Sequence, residues 1–153
     1  MQRNCEWRRA RMKKSLKLHT FQIGSPAKRE EGVRIGVTRR PPRGVPRARW
    51  QSEGCFDVWF PVLAPSAALL KHVHTQNLDD PAKRRAFFNR YEREMLGRLE
   101  SRQAIHLLAA VAARMPISLG CFCDDENRCH RSRLRKLIEQ AAAQSRIRRG
   151  RPL

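Results

Sequence analysis

The chain has 153 residues, 41% of them hydrophobic, and most of its formal net charge of +19 lies near its two ends: net +12 over residues 1–50 and +4 over residues 142–153. The length favours one domain, and no apolar run approaches the roughly 20 residues of a membrane-spanning helix, so we expect no membrane-embedded segment. The charged N-terminus lacks the apolar stretch of a secretory signal, and five cysteines are an odd number, so we expect a protein of the reducing cytoplasm.

Two segments with the alternation typical of β-strands open the folded part of the sequence. Leu16–Ile23 and Val33–Val37 both alternate between two faces, the second more cleanly than the first. The segment Thr38–Gly44 follows and reads TRRPPRG. Because its two prolines and its glycine forbid regular structure, it is expected to be a stiff loop lined by arginines.

Three helices are predicted in the middle of the chain. Ser66 is a suitable N-cap for the first, Ala67–His74, and the pair Asp80-Pro81 indicates the start of the second. The third, about Arg102–Arg114, is apolar on most sides. The apolar face of the second helix is formed by Phe87, Phe88, Tyr91 and Met95.

A buried strand at Ile117–Cys123 and a final helix complete the predicted elements. This order of elements predicts an α/β fold: a single compact domain in which helices pack on a small sheet of parallel strands. If Val33–Val37 and Ile117–Cys123 are parallel, the loops that follow them meet at the carboxyl edge of the sheet, where α/β proteins bind ligands. The apolar stripe of the final helix consists of Leu134, Leu137, Ile138 and Ala141.

Four blocks of the sequence carry a resemblance to a known family. They are RIGVTRRPPRGVP (Arg34–Pro46), DVWFPVLAPS (Asp57–Ser66), FFNRYEREM (Phe87–Met95) and GCFCDDENRCHRSRLRKL (Gly120–Leu137). From about Leu16 to Glu139 the chain resembles the YeaO-like family, bacterial proteins classed as domain of unknown function 488. Thr38 and Pro41 stand where many members of that family have aspartate and tryptophan.

The resemblance implies an α/β domain and no particular reaction. We assign that domain to residues 16–141, and we expect residues 1–15 to be a basic, disordered extension and residues 142–153 to be a basic tail. Cationic ends of this kind bind phosphate backbones without reading sequence, or serve only as solvated tails. A third interpretation makes residues 1–11 an extension upstream of a start at Met12.

The segment CFCDDENRCHR, residues 121–131, raises the question of a metal site. Cys121, Cys123, Cys129 and His130 match a zinc site in number and type, but their spacing lacks the usual C-x2-C pair. If the last helix has begun by Cys129, helical geometry turns that thiol away from Cys121 and Cys123. We therefore expect no metal site and interpret Cys121 as a buried structural thiol.

Thiol catalysis is the second interpretation of this segment. Cys123 precedes a helix and has Arg128, His130 and Arg131 close in sequence, which favours a lowered thiol pKa. The acidic run 124–126 opposes that shift, and the C-x5-R spacing of cysteine phosphatases is absent. The acids are instead typical of a well-started helix, whose dipole they complement.

An anion site accounts for most of the charged residues together. Guanidinium groups suit phosphate oxygens, and those of the stiff loop would face the helix start across the carboxyl edge. The candidate ligand-binding residues are Arg39, Arg40, Arg43, Cys123 and Arg131. Alternatively, these arginines pair with the acids at 124–126 and lock the two loops together.

His130 is the candidate catalytic residue, as a general acid or base, although a structural His–Asp pair explains its position equally well. The sequence thus supports an enzyme that acts on or binds a nucleotide or nucleic-acid phosphate in a pocket between the two loops. The alternative is a non-catalytic domain that binds nucleic acid through its basic ends.

Overall fold

Four parallel strands form one sheet in the computed structural model, which describes residues 15–75 and 78–149. Their order across the sheet is β1-β4-β2-β3. The predicted α/β class and the predicted parallel pairing are both confirmed, because Val33 pairs with Ile117 and Gly36 with Gly120 in a parallel register. The strands are β1 (Leu18–Gln22), β2 (Val33–Gly36), β3 (Val58–Trp59) and β4 (Ile117–Cys121).

The first two helices begin where local capping signals place them. Ser66 Oγ accepts a hydrogen bond of 3.1 Å from the Leu69 amide, and the Asp80 carboxylate accepts one of 2.8 Å from the Ala82 amide. The third helix begins at Leu99, three residues earlier than predicted. Only Arg98, in an extended conformation, separates it from the second helix. The α-helices of the described chain are α1 (Ala67–Thr75), α2 (Pro81–Gly97), α3 (Leu99–Ala112) and α4 (His130–Arg149).

The two predicted basic ends differ in how much of them the structure describes. Helix α4 runs to Arg149, so the segment expected to be a tail begins within this helix, where Ala142 is buried. Residues 1–14 and 150–153 lie outside the described residues. None of the described helices combines the length and the apolar character that crossing a membrane requires.

The sheet is covered on both faces, by helices on one and by a loop segment on the other. Alternate residues of β1 face opposite ways: Leu18 packs with the helices, and Phe21 packs with the loop segment 45–56. The buried Arg34 of β2 lies on the loop side, with its guanidinium 3.8 Å from the centre of the Phe21 ring. The apolar helix faces predicted from sequence are buried on the other side: Phe87, Phe88, Tyr91, Met95, Leu134, Leu137, Ile138 and Ala141.

The last strand is shorter than predicted. It ends at Cys121, and the next two residues, Phe122 and Cys123, are exposed. The guanidinium of Arg131 donates hydrogen bonds to the carbonyl oxygens of Cys121 (3.3 Å) and Cys123 (2.7 Å). The Cys121 carbonyl also accepts a 2.9 Å hydrogen bond from the Ile23 amide just beyond β1, so pairing in the sheet ends here and Arg131 holds the turn that follows.

Candidate functional site at the carboxyl edge of the sheet

The loops that follow β2 and β4 meet at one edge of the sheet, as the parallel arrangement requires. The Val37 amide, just beyond β2, donates a 2.9 Å hydrogen bond to the Gly120 carbonyl of β4. From the other loop, His130 Nε2 lies 2.8 Å from the Val37 carbonyl oxygen. The carboxyl edge therefore joins the arginine loop, residues 38–44, directly to the start of α4.

The arginine loop presents three exposed guanidinium groups, those of Arg39, Arg40 and Arg43. The Thr38 hydroxyl donates a 2.9 Å hydrogen bond to the Arg40 carbonyl and so holds the start of the loop in a turn. In the described part of the chain, no acidic side chain forms an ion pair with any of these three arginines. Their charge is therefore available to an external anion.

The acids of the facing turn have local partners instead. Asp125 caps a short 3₁₀ helix at residues 126–128 by accepting a 2.9 Å hydrogen bond from the Asn127 amide, and Asp124 accepts one of 2.8 Å from the Asp125 amide. Glu126 forms an ion pair with Arg135 at 3.7 Å. None of the described acids at 124–126 forms an ion pair with the arginine loop, so the alternative in which the two pair is not what the structure shows. The prediction that these acids start the last helix is wrong as well, because Asp125 caps the separate 3₁₀ helix and the first turn of α4, which begins at His130, contains no acid.

His130 is a buried, neutral histidine. A carbonyl oxygen only accepts, so Nε2 carries the proton that is donated to Val37, and Nδ1 is left with a lone pair. Nδ1 lies 3.7 Å from the Cys129 sulfur, so the partners of the ring are a carbonyl and a thiol rather than an aspartate. Burial lowers the pKa of His130 to about 4, an effect that the hydrogen bond to Val37 partly opposes. Its role as a general acid or base stays a prediction.

Arg131, a candidate anion-binding residue, is buried beneath the turn at residues 121–124. In addition to the Cys121 and Cys123 carbonyls, it donates a 3.3 Å hydrogen bond to the Asp124 carbonyl. Its Nε has no hydrogen-bond partner among the described residues. Arg131 therefore shapes the turn that carries Cys123, and its contact with a bound phosphate stays a prediction.

Three thiols converge at this edge. The sulfur atoms of Cys121, Cys123 and Cys129 all lie within 4.8 Å of one another, and those of Cys121 and Cys123 are 3.8 Å apart. The prediction that Cys129 points away from the other two is wrong. That prediction assumed a helical Cys129, but the residue is extended (φ −106°, ψ 144°), and α4 begins only at His130.

Cys123, the exposed member of the cluster, is the most acidic of the three thiols. Hydrogen bonds from Cys121 and Cys129 hold its pKa well below the usual range, with smaller contributions from His130 and Arg131. Hydrogen bonding with Cys121 and then with Cys123 raises the pKa of Cys129, as does its burial. The Cys121 thiol donates to the Cys123 sulfur at 3.8 Å, so a negative charge in this cluster is favoured at the exposed Cys123.

Sequence reasoning missed an aromatic pocket that adjoins the arginine loop. This aromatic pocket has a volume of about 290 Å³ and is lined by Arg47, Trp50, Asp57, Val58 and Trp59. Trp59 Nε1 donates a 2.9 Å hydrogen bond to the carbonyl of Thr38, the first residue of the loop. Trp50 beside Arg47 and Arg49 was a signal in the sequence, but the meeting of Trp50 with Trp59 depends on the tertiary fold.

Comparison with known proteins identifies one family model. The model, DUF488-N3a, is described as the active DUF488-N3 subclade and matches residues 18–142. This range contains the arginine loop, the aromatic pocket and the three clustered cysteines. No curated protein and no solved structure matches the chain.

Proposed function

The chain belongs to the YeaO-like DUF488 family, and we propose that it is an enzyme that acts on a nucleotide or on nucleic acid and binds the phosphate group at the carboxyl edge of its sheet. The observation that carries this proposal is the set of three exposed arginines without acidic partners in the described chain, Arg39, Arg40 and Arg43. Guanidinium groups bind phosphate oxygens through paired, charge-assisted hydrogen bonds. The loop that bears these arginines is attached to the sheet, so little order has to be gained on binding.

The aromatic pocket favours a nucleotide over a free phosphate. Trp50 and Trp59 stand edge to face with ring centres 6.3 Å apart, and the guanidinium of Arg47 lies 6.0 Å from the Trp50 ring. Aromatic and arginine side chains of this kind stack on nucleobases. Because Trp59 is hydrogen-bonded to Thr38, a base in the pocket has its phosphate close to the arginine loop.

Two observations support an enzyme rather than a module that only binds. The matching subclade is described as active. The carboxyl edge also brings together three thiols whose sulfurs lie within 4.8 Å of one another, and clusters of reactive or metal-binding side chains at this edge of an α/β sheet are typical of catalytic sites.

The phosphate site is tested by calorimetric titration of the protein with AMP. Arg43→Gln is expected to weaken AMP binding roughly tenfold, because it removes a charge-assisted hydrogen bond. Arg29→Gln is the matched control, since it removes the same charge from an exposed arginine that precedes β2, at the opposite edge. Equal losses in the two variants, or none in Arg43→Gln, would refute the assignment of the site to the arginine loop.

The base pocket has its own test. Trp59→Leu is expected to weaken AMP binding about fivefold or more, because base stacking contributes about 1–3 kcal/mol, and to leave the binding of inorganic phosphate unchanged. A parallel loss for both ligands would show that the variant damages the loop rather than the pocket.

A further inference from the structure

We propose that Cys121, Cys123 and Cys129 bind one zinc ion through three thiolates, with a fourth coordination position open to solvent. With Zn–S bonds of about 2.3 Å in a tetrahedral site, two sulfur ligands are about 3.8 Å apart. The sulfurs of Cys121 and Cys123 are at 3.8 Å, and all three sulfurs lie within 4.8 Å of one another. Small side-chain rotations are therefore enough to close the site.

The backbone holds these thiols in place before any metal arrives. Cys121 is the last residue of the central strand β4, and Cys129 is the extended residue that immediately precedes α4. Arg131 fixes the turn between them through the Cys121 and Cys123 carbonyls. The three sulfurs are already close because the end of the strand and the start of the helix hold Cys121 and Cys129 on either side of one turn. Ion binding therefore does not require a rearrangement of the fold.

The surroundings suit the charge of such a complex. Three thiolates and one Zn²⁺ carry a net charge of −1, and the protons of the thiols leave to solvent on binding. The buried guanidinium of Arg131, which has an N–H without a partner in the described chain, supplies the compensating positive charge. Hydrogen-bond donors and charges next to the ligands stabilise metal sites in this way.

The fourth position distinguishes this site from a closed structural one. Cys121 and Cys129 are buried, whereas Cys123 is exposed, so the open side of the cluster faces solvent at the carboxyl edge. Three protein ligands with one exchangeable water are typical of catalytic zinc sites. The inference stands on the thiol geometry alone, and its success or failure does not depend on whether the arginine loop binds phosphate.

The experiment uses the full chain, purified under reducing conditions from zinc-supplemented cells and analysed for metal. About one zinc per chain is expected. After removal of the zinc, added Co²⁺ should give the intense thiolate-to-cobalt charge-transfer absorption together with the visible bands of tetrahedral cobalt. Zinc affinity is then measured by competition with a chromophoric chelator.

Cys123→Ser is the decisive variant, because the side chain is exposed and its replacement should leave the fold intact, as circular dichroism can verify. The zinc affinity of this variant should fall by more than roughly 100-fold. Residues that only hydrogen-bond to a metal ligand, without binding the metal, typically contribute about 10- to 100-fold, so a larger loss identifies Cys123 as a ligand. The matched control is Cys55→Ser, a buried cysteine outside the cluster, which should retain both the zinc and the cobalt spectrum. A folded wild-type protein that binds no zinc, or a Cys123→Ser variant with the affinity of Cys55→Ser, would overturn the proposal.

Discussion

Tyr91 shows how a single buried polar group supports the carboxyl edge. Its side chain is fully buried, its hydroxyl donates a 2.7 Å hydrogen bond to the Leu63 carbonyl, and its ring stands edge to face with that of His130 at 5.2 Å between centres. Burial also raises the pKa of Tyr91, so the phenol remains protonated and keeps its donor. One residue thus links α2 to both the segment before α1 and the start of α4.

We predict that Tyr91→Phe lowers the free energy of unfolding by about 1–3 kcal/mol, because the ring is kept and a buried carbonyl loses its partner. Urea denaturation measures this difference. Ser52→Ala, which removes an exposed 3.1 Å hydrogen bond to the Arg49 carbonyl, should change stability by less than about 0.5 kcal/mol. Equal losses of stability in the two variants would mean that the Leu63 carbonyl accepts a hydrogen bond from another donor when the Tyr91 hydroxyl is removed.

At the scale of elements, the close packing of the Phe21 ring against β4 explains why this strand contains a glycine at position 120. Gly120 pairs with Phe21 on one side and Gly36 on the other, and a Cβ at position 120 would overlap the Phe21 ring. That ring is held between the sheet and the guanidinium of Arg34, so it has little freedom to move aside.

We therefore predict that Gly120→Ala destabilises the fold by about 1–3 kcal/mol through overpacking. Gly97→Ala is the control, since Gly97 ends α2 and has open space at its Cβ position; it should be neutral or stabilising by up to about 1 kcal/mol. Thermal unfolding of both variants checks the pair. A Gly120→Ala protein as stable as Gly97→Ala would show that the Phe21 ring is free to shift.

At the scale of the whole molecule, the charge distribution separates two kinds of phosphate binding. The two ends, residues 1–15 and 142–153, carry net charges of +5 and +4, and the rest of the total of +19 lies within the domain, which includes the arginine loop. Non-specific DNA binding depends on the number of phosphates that cationic groups neutralise, and its affinity falls with salt in proportion to that number. Binding at the arginine loop instead requires a local arrangement of three side chains.

We predict that neutralising the ends weakens DNA binding and flattens its salt dependence, while AMP affinity stays unchanged. The variant replaces seven terminal basic residues by glutamine: Arg8, Arg9, Lys13, Lys14, Arg148, Arg149 and Arg151. Fluorescence anisotropy with a DNA duplex at several salt concentrations gives the slope, and calorimetry gives the AMP affinity. A loss of AMP binding would place the nucleotide at the ends of the chain rather than at the arginine loop.

What the sequence by itself determined is mostly local. Ser66 and Asp80 cap the helices they were predicted to start, and the alternation of β2 assigns its faces correctly. Caps and periodicities of this kind are set by residues a few positions apart, so a short window of sequence contains the information. The prediction that β2 and β4 are parallel was also correct, because a parallel pair needs a long helical crossover of the kind the chain provides.

Only the tertiary structure decided what the side chains at the carboxyl edge do. Cys129 was misplaced because one residue more or less of helix changes its direction by about 100°. Arg131 was named from the sequence as an anion-binding residue at the helix start, whereas in the structure it is buried and donates to the carbonyls of the turn at residues 121–124. Trp59 reaches the arginine loop only because β3 lies beside β2. Contacts of this kind join residues far apart in sequence, and their geometry follows from how the packed elements meet rather than from any local pattern.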